Sequence, residues 1–134
     1  MGNEAKTYAL FRKLIRSKGY YDDTDVVVEE QKSDNLKIDK LLKNASKKGN
    51  HKGYPDFIIY SKTYPELLIV VEAKADINKH ESDTKDNYAD YAVDGALLYA
   101  SFLSKEFDVL ALGISGEDEK RFRISHYLQF WVSL

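Results

Sequence analysis

The chain has no cysteine among its 134 residues, which removes disulfide frameworks, thiolate metal centres and cysteine nucleophiles. An intracellular, cytoplasmic setting is the expectation that follows. Proline is nearly absent too, at Pro55 and Pro65 alone, and no internal repeat, low-complexity tract or linker interrupts the chain. Long hydrophobic runs are missing: the longest, residues 67–71, is far short of the roughly 20 residues a bilayer span needs, and the first residues lack the apolar core of a signal peptide. Membrane and export roles are therefore excluded. Net charge is small, with 20 Lys and Arg against 22 Asp and Glu, so no overall basic field points to nucleic acid. The three histidines, His51, His80 and His126, lack metal-ligand spacing, which argues against zinc.

What is present suits one domain: 43% hydrophobic and 13% aromatic residues supply a single core. Apolar positions Ala5, Tyr8, Phe11, Leu14 and Ile15 recur at steps of three and four, predicting a helix over residues 4–18, capped by Asn3 and ended at Gly19. Val26-Val27-Val28 predicts a strand leading into Glu29 and Glu30. Leu36, Leu41, Leu42 and Ala45 predict a shorter helix over 35–48. Residues 57–60 and 67–71 read as a hairpin of two buried strands at the sheet centre. Helical spacing from Tyr88 to Leu103 predicts a long helix over 85–103. Residues 107–114 predict a buried strand, 121–124 an edge strand, and 126–131 an aromatic closing segment packed as a helical turn.

Charge is segregated along the chain. Between Gln31 and Gly53 seven lysines (Lys32, Lys37, Lys40, Lys43, Lys47, Lys48 and Lys52) face two aspartates. Between Asp76 and Asp94 six carboxylates face Lys79 and Lys85. Taken singly, each run reads as a solvated face. Beside a catalytic hairpin the basic run gains a second meaning, and Lys47, Lys48 and Lys52 become the candidates for phosphate contacts, since Coulombic attraction to phosphate demands little geometry.

Three residues of the hairpin carry the chemistry: Asp56 before its first strand, and Glu72 and Lys74 at the end of its second. Residues two apart in a strand share a face, so Glu72 and Lys74 project together while Ala73 points the other way, and Asp56 can reach the same point across the hairpin. Two carboxylates beside a lysine, with the Ala73 carbonyl, make a hard-oxygen site for Mg²⁺, with Mn²⁺ as a substitute. Such an ion can polarise a phosphodiester and lower the pKa of bound water, with Lys74 positioning the attacking water and stabilising developing charge.

Pro55-Asp56, a spacer and Glu72-Ala73-Lys74 resemble the PD-(D/E)XK nuclease superfamily. Asn3-Glu4-Ala5-Lys6-Thr7, followed by a helix ending in Gly19-Tyr20, looks like the opening of the nuclease domains of type I restriction-enzyme R subunits, and of type II restriction enzymes fused to N6-adenine methyltransferases. The stretch from Tyr91 to Ala100 is similar to the helix after the E-x-K strand in that group, and the resemblance spans residues 3 to about 124. It implies an α/β restriction-endonuclease-like core with a mixed four- to five-stranded sheet flanked by helices. It also implies Asp56, Glu72 and Lys74 as the catalytic core, Glu4 as an acidic residue helping to orient the metal, and Tyr99 as the aromatic end of a Q-x-x-x-Y helix that contacts DNA. Two departures stand out: Gly95 occupies the place of the usual Gln, and Tyr8 the place of a common Arg. Glu29 and Glu30 compete with Glu4 for the role of extra acid.

The sequence reading is thus a single nuclease domain over 1–134, a module or fragment of a larger restriction-modification protein. Its expected partners are double-stranded DNA and the methyltransferase and specificity domains or subunits of the same system, with a dimer on DNA. The alternatives are a nuclease-fold domain that binds DNA or a partner without cutting, and a Holliday-junction-resolvase-like nuclease.

Overall fold

The computed structural model describes residues 4–49 and 51–130. Three helices, α1 (Ala5–Ser17), α2 (Leu36–Leu41) and α3 (Ala92–Leu103), pack on a five-stranded sheet formed by β1 (Val26–Glu30), β2 (Phe57–Ser61), β3 (Leu67–Lys74), β4 (Asp108–Ser115) and β5 (Arg123–Gln129). The strands lie in the order β1-β2-β3-β4-β5; β3 and β4 run parallel and every other pair antiparallel. The fold is therefore α/β with a mixed sheet, consistent with a restriction-endonuclease-like core.

The β2–β3 hairpin stands at the centre of the sheet, as its continuous apolar runs predict. Alternation along β3 feeds two separate cores. Leu68 and Val70 face α2 and α3 among Ile38, Leu42, Tyr99 and Leu103, whereas Val71 and Ala73 face α1 and meet Phe11, Ile15 and Phe57. Because β3 and β4 are parallel, the chain must cross over between them, and α3 makes that crossing over both strands.

Three predicted elements differ from those observed. The long helix starts at Ala92 rather than residue 85, because Asp94 is fully buried and its carboxylate accepts from the backbone N–H of Ser82 and Asn87 and from the Ser82 hydroxyl. Residues 82–91 are gathered around that carboxylate, with Lys85 left-handed at φ 60°, so local helical spacing is overridden. Asp94 accordingly leaves the solvated acidic run expected for it. The second helix is capped by Asn35, whose side chain accepts from Lys37 and Ile38 N–H, and it closes at Leu41. Beyond it the chain folds back: Gly53 N–H donates to the Leu42 carbonyl, and a Cβ on Gly53 would lie 2.8 Å from Ser46 Cα. The third difference is His126, which with its neighbours through Gln129 belongs to β5, opposite residues 109–112 of β4, and not to a helical turn. The Asn3 cap and Trp131, the last residue of the predicted closing segment, lie outside the described residues.

At the far end of β4, His80 is buried between two hydroxyls, with Nδ1 2.7 Å from Ser115 Oγ and Nε2 2.8 Å from Ser125 Oγ. Burial, reinforced by Arg123 and opposed by Glu81, lowers its pKa below the ordinary 6.5. The folded state thus favours the neutral ring, so this contribution to stability is present above pH 6.5 and is lost as pH falls through the lowered value. Urea unfolding between pH 7.5 and 5 is expected to show a loss of stability that His80→Gln removes. An identical pH profile in the variant would refute this role.

Candidate active site

The P-D and E-x-K segments hold each other. Asp56 N–H donates to Glu72 Oε1 at 2.9 Å, while Ala73 N–H donates to Asp56 Oδ2 at 2.8 Å. This reciprocal clasp begins one step beyond the last ladder pair of β2 and β3, Phe57 with Val71, so the two acids take over where the antiparallel strands part. In a strand both main-chain polar groups of one residue face the same neighbour, so the Ala73 carbonyl faces the Asp56 side with its N–H.

Electrostatics agree with convergence. Glu72 is 1% exposed, and its carboxyl is pushed above the usual range first by burial and next by the charge of Asp56, against the pull of Lys47. Tyr99, beneath the site, is raised by burial and then by both carboxylates. Tyr8 is raised by burial and by its hydrogen bond to Asp56, with Glu72 adding to the effect. Asp56 and Glu72 therefore act on the same two phenols from one small region.

Lys47 reaches this region from the loop after α2. Its Nζ lies 2.5 Å from Glu72 Oε2 and 5.9 Å from the centre of the Tyr99 ring, and its side chain is 23% exposed. Lys74 shares the Glu72 face of β3, but its Nζ donates to the Ala89 carbonyl at 2.8 Å, and its described hydrogen bond is to neither carboxylate. Lys52 is engaged with Asp39 at 2.8 Å and lies over the Tyr54 ring, while Lys48 is exposed beside the loop. Tyr99 is 3% exposed and forms part of the core under the site.

Helix α1 closes the other side. Thr7, wholly buried, donates from its hydroxyl to the Gly116 carbonyl at 2.7 Å, and Gly116 N–H in turn donates to the Lys74 carbonyl. One residue on, the Tyr8 hydroxyl donates to Asp56 Oδ1 at 2.5 Å and accepts from Gln31 Nε2 at 3.0 Å. Glu4 occupies the N-cap position of α1 without a side-chain capping bond, one turn before Tyr8 on the same helix face. The rival acids are engaged elsewhere: Glu30 is held by Arg12 through two bonds of 2.9 and 2.5 Å, and Glu29 is buried, accepting from Asp34 N–H.

Three participants were not assigned these places from sequence. Tyr8 stood out as a departure, Lys47 as a candidate for phosphate contact with Lys48 and Lys52 and not as a partner of Glu72, and Gln31, left-handed at φ 56° just after β1, gave no signal. Gly95 has a clear structural reason. A Cβ there would lie 3.1 Å from both Glu72 Oε2 and the Tyr88 carbonyl, so a side chain as large as Gln needs the carboxylate to move.

The donor set fits a hard divalent cation. Two neighbouring carboxylates and a main-chain carbonyl could serve as oxygen donors, and the ammonium lodged on buried Glu72 marks a place that accepts positive charge. Among the described residues no group of three or more His, Cys, Asp or Glu gathers, so water would complete the coordination, as Mg²⁺ commonly allows. No described helix is long and apolar enough to cross a membrane.

Comparison with known proteins gives one relationship to report. The chain is 35% identical, over an alignment of 119 residues covering 78% of its length, to the type II restriction enzyme and methyltransferase RM.BcgI of Heyndrickxia coagulans. It spans 18% of that relative's length. No protein-family model and no solved structure matches it. The chain is thus related in sequence to part of a restriction enzyme and methyltransferase, across most of its own length.

Proposed function

We infer that this chain is the nuclease module of a restriction-modification system and hydrolyses DNA phosphodiester bonds with Mg²⁺, or Mn²⁺ in its place. The observation that carries the reading is the reciprocal clasp between Asp56 and residues 72–73, which fixes two carboxylates of a PD-(D/E)XK-like motif at the end of a central hairpin. The similarity to a type II restriction enzyme and methyltransferase supports the same class and suggests DNA, methyltransferase and specificity domains as partners in the cytoplasm.

Asp56, Glu72 and the Ala73 carbonyl would hold the ion, which when bound polarises the scissile phosphate and acidifies water. The protein's own groups do the rest. Tyr8 and the Ala73 N–H orient the Asp56 carboxylate, an arrangement that limits reorganisation during reaction. Lys74, held by a single main-chain carbonyl on the Glu72 face, can turn to position water or meet charge developing on phosphate. Exposed Lys48 attracts the DNA backbone, and Lys52 can add to this when it leaves Asp39. Glu4, on the Tyr8 face of α1, is the acid best placed to orient solvent beside Asp56.

The test is incubation of supercoiled plasmid with the chain under Mg²⁺ or Mn²⁺, comparing the parent with Asp56→Ala and Lys74→Ala. Cleavage that needs the divalent ion and is lost in both variants is expected; undiminished cleavage in both would overturn the site. The hydrogen bond of Lys74 to Ala89, away from the carboxylates, favours the second reading, a nuclease-fold domain that binds DNA without cutting. That reading requires DNA binding unaffected by Asp56→Ala and no cleavage with either ion.

A further inference from the structure

We propose that Lys47 is a resident counter-ion of the site, occupying the cation position on Glu72 and giving it up when a divalent ion enters. The proposal rests on the reading of Asp56 and Glu72 as metal ligands.

Glu72 has no spare oxygen in the present arrangement: Oε1 accepts from Asp56 N–H, and Oε2 takes the Lys47 ammonium at 2.5 Å. The carboxylate is almost completely shielded from water, so its charged form needs a counter-charge within reach, and Lys47 is the cation paired with it. Gly95 stands against the same oxygen, where an added Cβ would fall 3.1 Å from Oε2. An incoming cation must therefore compete with Lys47 for Oε2.

The ammonium is mounted so that it can leave. Lys47 lies outside regular structure, between α2 and β2, in a loop that includes Gly49 at φ 129°. Its stem is partly exposed, and the neighbouring side chain of Lys48 is directed to solvent. Swinging out moves one positive charge from a buried carboxylate to the lysine-bearing rim of the site, where a phosphate is the natural acceptor. Glu72 keeps a cation throughout, and the two acids never face each other uncompensated.

The competition has a measurable sign. Calcium ion alone, without DNA, is titrated calorimetrically into the parent, Lys47→Gln, Lys47→Arg and Glu72→Gln, and melting temperatures are recorded with and without the ion. Lys47→Gln keeps a donor for Glu72 but removes the competing charge, so Ca²⁺ is expected to bind at least about tenfold more tightly than in the parent, with a larger thermal stabilisation. Lys47→Arg retains the charge and is expected to bind as weakly as the parent. Equal or weaker Ca²⁺ binding by Lys47→Gln, with binding abolished in Glu72→Gln, would overturn the proposal while leaving the metal site intact. If Ca²⁺ binds to none of the four proteins, or binds equally to Glu72→Gln, the metal reading itself fails and the proposal falls with it.

Discussion

Asp56→Asn is expected to reduce Mg²⁺-dependent plasmid cleavage by about 10²–10³-fold while the fold survives. Asparagine preserves the shape of the clasp, since its carbonyl can still accept from Ala73 N–H and its amide can meet the Tyr8 hydroxyl. What it removes is one negative charge from a two-carboxylate site, so divalent-ion affinity should fall with the rate. Lys74→Ala gives the complementary result. It leaves both carboxylates in place, so ion binding persists while the rate drops by about the same factor, because the lost group acts on the reacting phosphate or water. Calorimetry beside a plasmid assay separates the two. If Asp56→Asn binds the ion and cleaves as the parent does, the carboxylate has no part in the chemistry.

The second large effect concerns stability and comes from a residue with no side chain. Gly113 of β4 lies between Glu72 of β3 and Ser125 of β5, and a Cβ there would come within 2.5–2.7 Å of Val93 Cγ2, N and Cα. Two of those atoms are backbone in the first turn of α3, so no rotamer change relieves the overlap; the helix must lift from the sheet. Gly113→Ala is therefore expected to cost on the order of 3 kcal/mol, lowering the melting temperature by about 10 °C. Lifting α3 also shifts Asp94, which gathers residues 82–91, and Gly95, which borders Glu72, so metal affinity should fall with stability. Gly19→Ala serves as the control: its φ of 82° is unfavourable for alanine, but no atom lies within 4 Å, and only about 1 kcal/mol is expected. Equal melting shifts in the two variants would show that α3 yields freely.

The parts of this architecture legible from sequence are those whose signal is local. The spacing of Phe11 and Ile15 marks the buried face of α1, the β-branched run at 26–28 marks β1, and the two apolar runs flanking Pro65 mark the central hairpin. Alternation along β3 also places Glu72 and Lys74 on one face and Ala73 on the other, as observed. Where a distant polar group intervenes, the local signal fails. The tyrosines at 88 and 91 have helical spacing with α3, yet the buried Asp94 draws the preceding loop around itself. Residues 126–129 carry no decisive period, and only pairing with β4 makes them a strand.

By itself the sequence determined which residue types could do chemistry here and at which ends of which strands they stand, because strand periodicity and the order of Asp56, Glu72 and Lys74 are properties of the chain alone. Only the tertiary structure decided what each of them touches: Tyr8 on Asp56, Lys47 on Glu72, Lys74 on the Ala89 carbonyl. The physical reason is that a buried charge takes its partner from whatever segment the packing brings within reach. For Glu72 that segment is a loop 25 residues away, which no local pattern in the sequence connects to it.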